Sequence, residues 1–172
     1  MSRLRAVLFF LSIFCLPSGI GAQQKPELFS DVDRVFREKE PAWKVEELLP
    51  ADTSDPVKHR IIFSSRRGRA SVDVGIWRRE ADARDVFTAT SFAIDNDAVF
   101  ISESLGRRVA DKKLKSSVPK LGDENHMWAF KDYPRRVIIQ FRRGSVVVRV
   151  DAPSEAVAKR FAQHVFEQLA AS

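Results

Sequence analysis

Two carboxylates and an imidazole lie close together in the segment Gly122–His126. Asp123, Glu124 and His126 belong to the residue types that bind divalent cations or exchange protons in catalysis. They lack the i, i+4 spacing that places ligands on one helix face, and no second histidine or carboxylate motif accompanies them. A polar turn before a strand explains the segment better. A hydrolase or metal-dependent enzyme built on these residues is therefore the alternative hypothesis.

Other catalytic patterns are missing from the sequence. Neither His59 nor His164 has a nucleophile at a recognisable spacing, and there is no Gly-x-Ser-x-Gly or His-Glu-x-x-His motif. Only seven glycines occur in 172 residues, which argues against nucleotide-binding and dinucleotide-binding folds. We therefore predict no catalytic residues, no cofactor and no metal site, and we favour a non-enzymatic function.

The N-terminus has the pattern of a bacterial export signal over residues 1–22. Arg3 and Arg5 precede the apolar run Ala6–Leu16, and small residues around Ala22 suit cleavage. The run is shorter than the roughly 20 residues that cross a bilayer. We predict a periplasmic or secreted protein with no stable membrane span after signal removal; an uncleaved anchor is the alternative.

Composition limits what the remaining chain, residues 23–172, can do. Cys15 is the only cysteine and lies in the signal, so disulfides, thiol catalysis and cysteine-type zinc sites are excluded. The full chain has 29 Lys and Arg against 23 Asp and Glu, a mildly basic balance of mixed signs. We therefore expect an unknown small molecule or envelope protein as partner, and no nucleic acid.

A stretch in the middle of the chain is echoed near its end. Residues 59–74 align without a gap with residues 135–150, and an amphipathic stretch follows each copy. The pattern predicts two strand-turn-strand-helix units, at about 59–94 and 135–170. In each unit apolar and polar residues alternate, as expected for half-buried antiparallel strands, and an Arg-Arg-Gly triplet supplies the turn.

These patterns predict a single α+β domain over residues 23–172. We expect an antiparallel sheet of about five to seven strands, with the two repeat helices packed on one face. A further helix over Pro26–Lys39 would lie in the same layer or across the other face. Ala98–Ser102 has the pattern of a strand, and Arg107–Lys120 that of a connection.

The sheet face away from the repeat helices is the leading candidate for binding. If alternate valines of the two hairpins face the core, Asp73, Trp77 and Arg149 point the other way, with Trp128 beside them. Such a mixture of aromatic and charged groups suits a ligand or a partner protein. The alternative is that the N-terminal helix covers this face.

Basic residues provide two further candidate sites. The turn pairs Arg66–Arg67 and Arg142–Arg143 suit phosphate or carboxylate groups, although solvated turn charges explain them better. A second basic group predicts electrostatic attachment to anionic envelope polymers as a third hypothesis. Its members are Arg107, Arg108, Lys112 and Lys113.

The C-terminal third has the succession Gly122-Asp123-Glu124, a strand, the segment Phe141–Val150 and a terminal helix. This succession resembles small exported bacterial domains, among them lipoproteins and the extracellular sensor domains of bacterial serine/threonine kinases. The resemblance covers about 50 residues. It implies a compact α+β extracytoplasmic domain that is non-enzymatic and has a ligand-binding cleft.

Overall fold

The computed structural model describes residues 25–52, 56–104, 113–130 and 136–171. The predicted signal and most of the basic group lie outside these ranges. The described elements are, in chain order, α1 (Lys25–Lys39), β1 (Lys44–Asp52), β2 (Val57–Ser65), β3 (Gly68–Ile76), α2 (Glu80–Ser104), β4 (Lys113–Ser116), β5 (Glu124–Phe130), β6 (Arg136–Arg143), β7 (Val146–Ala152) and α3 (Glu155–Ala171).

Seven strands form one antiparallel sheet in the order β1-β2-β3-β7-β6-β5-β4. Two hairpins, β2–β3 and β6–β7, meet at its centre through β3 and β7. Three helices pack against the sheet, so the predicted α+β class is confirmed. No described helix is both long and apolar enough to cross a membrane.

The main core lies between one face of the sheet and the helices α1 and α3. Alternate residues of the central strands are buried there, as period-two strands require. Helix α3 adds an apolar stripe at helical spacing. Phe161 of α3 is fully buried, with its ring centroid 4.7 Å from that of Phe36, 5.3 Å from Phe63 and 5.4 Å from Trp43.

Helix α2 packs on the opposite face, which differs from the expected placement of both repeat helices on one face. Its apolar contacts form two small clusters, Ala83 and Phe87 with Val147, and Ile94 with Trp128 and Ile138. Helix α1 takes the place beside α3. The core side of the sheet was predictable, but the sequence of α2 does not specify which face it covers.

The predicted strand over Ala98–Ser102 is instead the last part of α2. Its apolar and β-branched residues favour a strand locally, but no glycine or proline precedes them to end the helix. The predicted connection Arg107–Lys120 contains the short edge strand β4.

The two aligned segments form hairpins whose strands correspond only in part. Asp73 and Arg149, which the alignment equates, lie directly opposite each other in β3 and β7. In the other strands the correspondence slips: Arg60 faces Asp73, but Gln140, and not Arg136, faces Arg149. An internal sequence repeat therefore stays a prediction.

The turns differ for the same reason. In the first hairpin Ser65 pairs with Gly68, so Arg66 and Arg67 form a two-residue loop before a glycine at φ 121°. In the second hairpin Arg143 pairs with Val146, and Gly144 (φ 54°) and Ser145 form the loop. Arg142 and Arg143 therefore belong to strand β6, which corrects the predicted second Arg-Arg-Gly turn.

Candidate functional site: the open face of the sheet

Helix α2 covers only part of its side of the sheet. It packs against β6 and β7, while among the described residues no helix lies over the neighbouring β2 and β3 on that side. We call the uncovered part the open face. Its residues are Arg60, Ile62, Ser71, Asp73 and Arg149.

Charged groups form rows across the open face. The Arg60 guanidinium hydrogen-bonds Asp73, which lies opposite it in the ladder. Arg136 binds Asp151 on the far side, with its Nε 2.7 Å from the carboxylate oxygen Oδ2. Arg149 lies between the two pairs, and within the described part of the chain its guanidinium makes no hydrogen bond or ion pair.

Trp77 forms the border between the open face and α2. Its ring folds back over Gly75, where an added Cβ would lie 2.5 Å from the Trp77 ring. Trp77 also packs against the cluster of Ala83, Phe87 and Val147. Trp77 is half-buried, and it lies on the same side of the sheet as Asp73 and Arg149, which are opposite each other in the ladder. The repeat helix α2 packs on this side too, so it is not the face away from the repeat helices that the sequence predicted.

Trp128 lies on the same side but beneath α2, with none of its surface exposed. Its Nε1 donates a hydrogen bond of 2.9 Å to Asp95, and Lys115 lies 5.5 Å from the ring centroid. The open face therefore excludes Trp128, contrary to the sequence prediction, because a helix predicted for the other layer covers it.

Two residues of the Asp123–His126 segment, Asp123 and Glu124, contact the buried side chain of Arg142. Arg142, with a side chain only 2% exposed, hydrogen-bonds Glu124 and Glu80 at 2.9 Å and lies 3.4 Å from Asp123. The backbone amide of Gly144 donates a hydrogen bond of 2.7 Å to the Asp123 carboxylate. Burial opposes the charge of Arg142, but its hydrogen bonds to Glu80 and Glu124 outweigh this and raise its pKa.

The two carboxylates of the candidate catalytic segment thus balance a buried guanidinium. Gly122 allows the segment to lie close to the backbone of β6, because it has φ 69° and an added Cβ would lie 2.3 Å from the Arg142 carbonyl oxygen. Among the described residues, no group of three or more His, Cys, Asp or Glu side chains is placed to hold a metal ion. These contacts give the alternative enzyme hypothesis no support.

His126 lies apart from this ion cluster, in a polar seam under α2. Its Nδ1 is 3.2 Å from the Ser91 hydroxyl, and its ring contacts Phe87 and Trp128. The buried amide of Gln140 continues the seam, donating to the Phe87 carbonyl and the Thr90 hydroxyl. Gln140, the single amide side chain in the otherwise apolar run 137–141, is the feature of the sequence that could have indicated this seam.

We expect acidification to destabilise the protein through His126. Burial, and then the Lys115 ammonium, lower its pKa below 6.5, against smaller opposing effects of Asp95 and Glu124. The unfolded chain therefore takes up a proton at a higher pH than the folded one. The contribution of neutral His126 to the free energy of unfolding is present above pH 6.5, and it is lost as the pH falls through this value towards the pKa of the folded protein.

Urea unfolding of the wild type and of His126→Gln between about pH 8 and pH 5 measures this effect, since histidine titrates in that range. We expect the wild type to lose more stability than the variant. His59 and His164 are common to both proteins, so their contributions cancel. Parallel pH profiles would contradict the assignment.

Comparisons with known proteins add no identity. No protein-family model matches the chain, and no curated protein matches it. A GTP binding regulator from Thermotoga maritima is similar in structure, with a TM-score of 0.39, 13% sequence identity, and coverage of 80% of this chain and 85% of that one. A likeness at this level carries no functional argument. The class of the molecule is thus set by its fold alone: an α+β domain whose antiparallel sheet is covered in part by the described helices.

Proposed function

We propose that this chain is a non-catalytic binding domain of the bacterial envelope, and that the open face is its binding surface. The observation that supports this proposal is that the described helices leave this part of the sheet uncovered. Binding surfaces combine apolar anchors with polar groups that set orientation. Trp77 and Ile62 supply the first, and Asp73 and Arg149 the second.

Export remains part of this proposal on sequence grounds. The signal pattern of residues 1–22 and the absence of cysteine from residues 23–172 support it. The resemblance to small exported bacterial domains points to the same compartment and to a non-enzymatic role. Attachment to anionic polymers through Arg107, Arg108, Lys112 and Lys113 depends on a segment of which only the backbone of Lys113 is described.

Amide chemical shifts of the isotope-labelled protein, titrated with fractions of a bacterial envelope extract, test the location of the site. We expect the shifted amides to cluster in β2, β3 and β7, with shifts at the Trp77 indole. Helices α1 and α3 provide the internal control, because they pack on the opposite face of the sheet. Shifts confined to that layer or to Asp123–His126 would remove the open face as the site.

A further inference from the structure

The open face has an uneven set of charges. On the open face and at its border beside β6, three arginines, Arg60, Arg136 and Arg149, occur with two aspartates, Asp73 and Asp151, while Arg69, farther along β3, is paired with Glu46. The register places Asp73 directly opposite Arg149, yet its carboxylate binds Arg60 on the other neighbouring strand. Asp151 in turn binds Arg136. Arg149 is the member of this group whose guanidinium has no carboxylate bound to it within the described residues.

Arg149 is suited to supply the missing contact. It lies in the central strand β7, half-buried, between two pairs whose carboxylates are already occupied. A guanidinium presents donors in a planar fork that matches a carboxylate. Trp77, at the border of the open face, and Ile62, two strands away on β2, offer apolar contacts to whatever carries that carboxylate.

On this basis we propose that the open face binds an acidic polypeptide segment, with a Glu or Asp carboxylate on Arg149 and apolar side chains on Trp77 and Ile62. The inference rests on the proposed binding function. Arg60 and Arg136 are already paired with carboxylates, so the site offers one free guanidinium and not the row of free cations that a polyanion such as polyphosphate would need, whereas a peptide with separated acidic residues needs only one. An extended peptide also matches a sheet surface, because its side chains alternate at the spacing of the strands below.

Fluorescence anisotropy with two labelled peptides tests this proposal. One alternates glutamate and leucine, and the other alternates glutamine and leucine. We expect the glutamate peptide to bind at least about tenfold more tightly, in a salt-dependent manner, because charged hydrogen bonds are stronger than neutral ones. Equal binding of the two peptides, or no binding of the glutamate peptide, would overturn the inference.

Variants of the protein locate the contact. Arg149→Ala should weaken binding of the glutamate peptide by roughly ten- to a hundredfold, and Arg149→Lys should recover only part of it. Arg66→Ala, which removes the same charge from the exposed turn, is the matched control and should have little effect. Circular dichroism confirms that each variant is folded. An equal loss from Arg66→Ala would show general electrostatic attraction and contradict the proposed contact.

The outcomes separate this inference from the proposed function. If envelope fractions shift the amides of the open face but the two peptides bind alike, the function stands and the acidic partner is rejected. Tighter binding of polyphosphate than of the glutamate peptide, lost in Arg149→Ala, would also reject a polypeptide partner. If no shifts occur at the open face, the function itself fails.

Discussion

Phe161→Ala should lower the free energy of unfolding by about 3–5 kcal/mol, the cost typical of emptying a phenylalanine site in a core. The Phe161 ring is the meeting point of three other aromatic rings, from α1, β2 and the segment before β1. Removing it leaves a cavity bordered by large rings that cannot close without moving whole elements. Urea denaturation at neutral pH gives the value directly.

Phe92→Ala is the control for this substitution. Phe92 lies on the outer side of α2 and is 70% exposed, so the same change in side chain should alter stability by less than about 0.5 kcal/mol. Similar losses in the two variants would mean that the aromatic cluster between α1, α3 and the sheet is not the main core.

Arg142→Met should cost about 2–3 kcal/mol, measured by the same unfolding assay. Removing one partner of a buried ion network leaves the remaining charges uncompensated. The cost stays at the lower end of such effects because Glu80 and Asp123 are about half exposed, so water can solvate them once the guanidinium is gone. The variant also loses the hydrogen bond from Arg142 to the Gly144 carbonyl.

Arg84→Met is the matched control for Arg142→Met. Arg84 lies 3.5 Å from the same Glu124 carboxylate, but its side chain is 60% exposed. A surface pair of this kind contributes at most about 1 kcal/mol. If the two variants were equally destabilised, the burial of Arg142 would not be the source of its contribution.

Much of the central sheet could be predicted from the sequence, because alternation in strands has a simple physical cause. Alternate residues of a strand point to opposite faces, so Val72 and Val74 of β3 specify a buried face with Val148 and Val150 of β7. The same alternation places Asp73 and Arg149 on the other face. The wide apolar stripe of α3 specified its packing in the same way. This is also why three of the candidate residues were found together.

The polar packing of α2 could not be predicted by this reasoning. The side of α2 that meets the sheet includes Thr90 and Ser91, and the strand beneath it carries Gln140 and Arg142. Hydrophobic periodicity is silent where both surfaces are polar and hydrogen-bonded to each other. The aligned arginines suggested a solvent-exposed turn at Arg142, and only the strand register reveals that this arginine is buried.

The two outer strands have a consequence for how the molecule behaves at high concentration. Strand β1 shifts register at Val45/Glu47 and again at Leu49/Asp52, and it contains Pro50, which has no amide hydrogen to donate. Strand β4 is only four residues long and carries two lysines. Irregular, short or lysine-bearing margins are poor templates for a strand from another molecule. The sheet therefore resists edge-to-edge aggregation even though the described helices leave part of one broad surface uncovered.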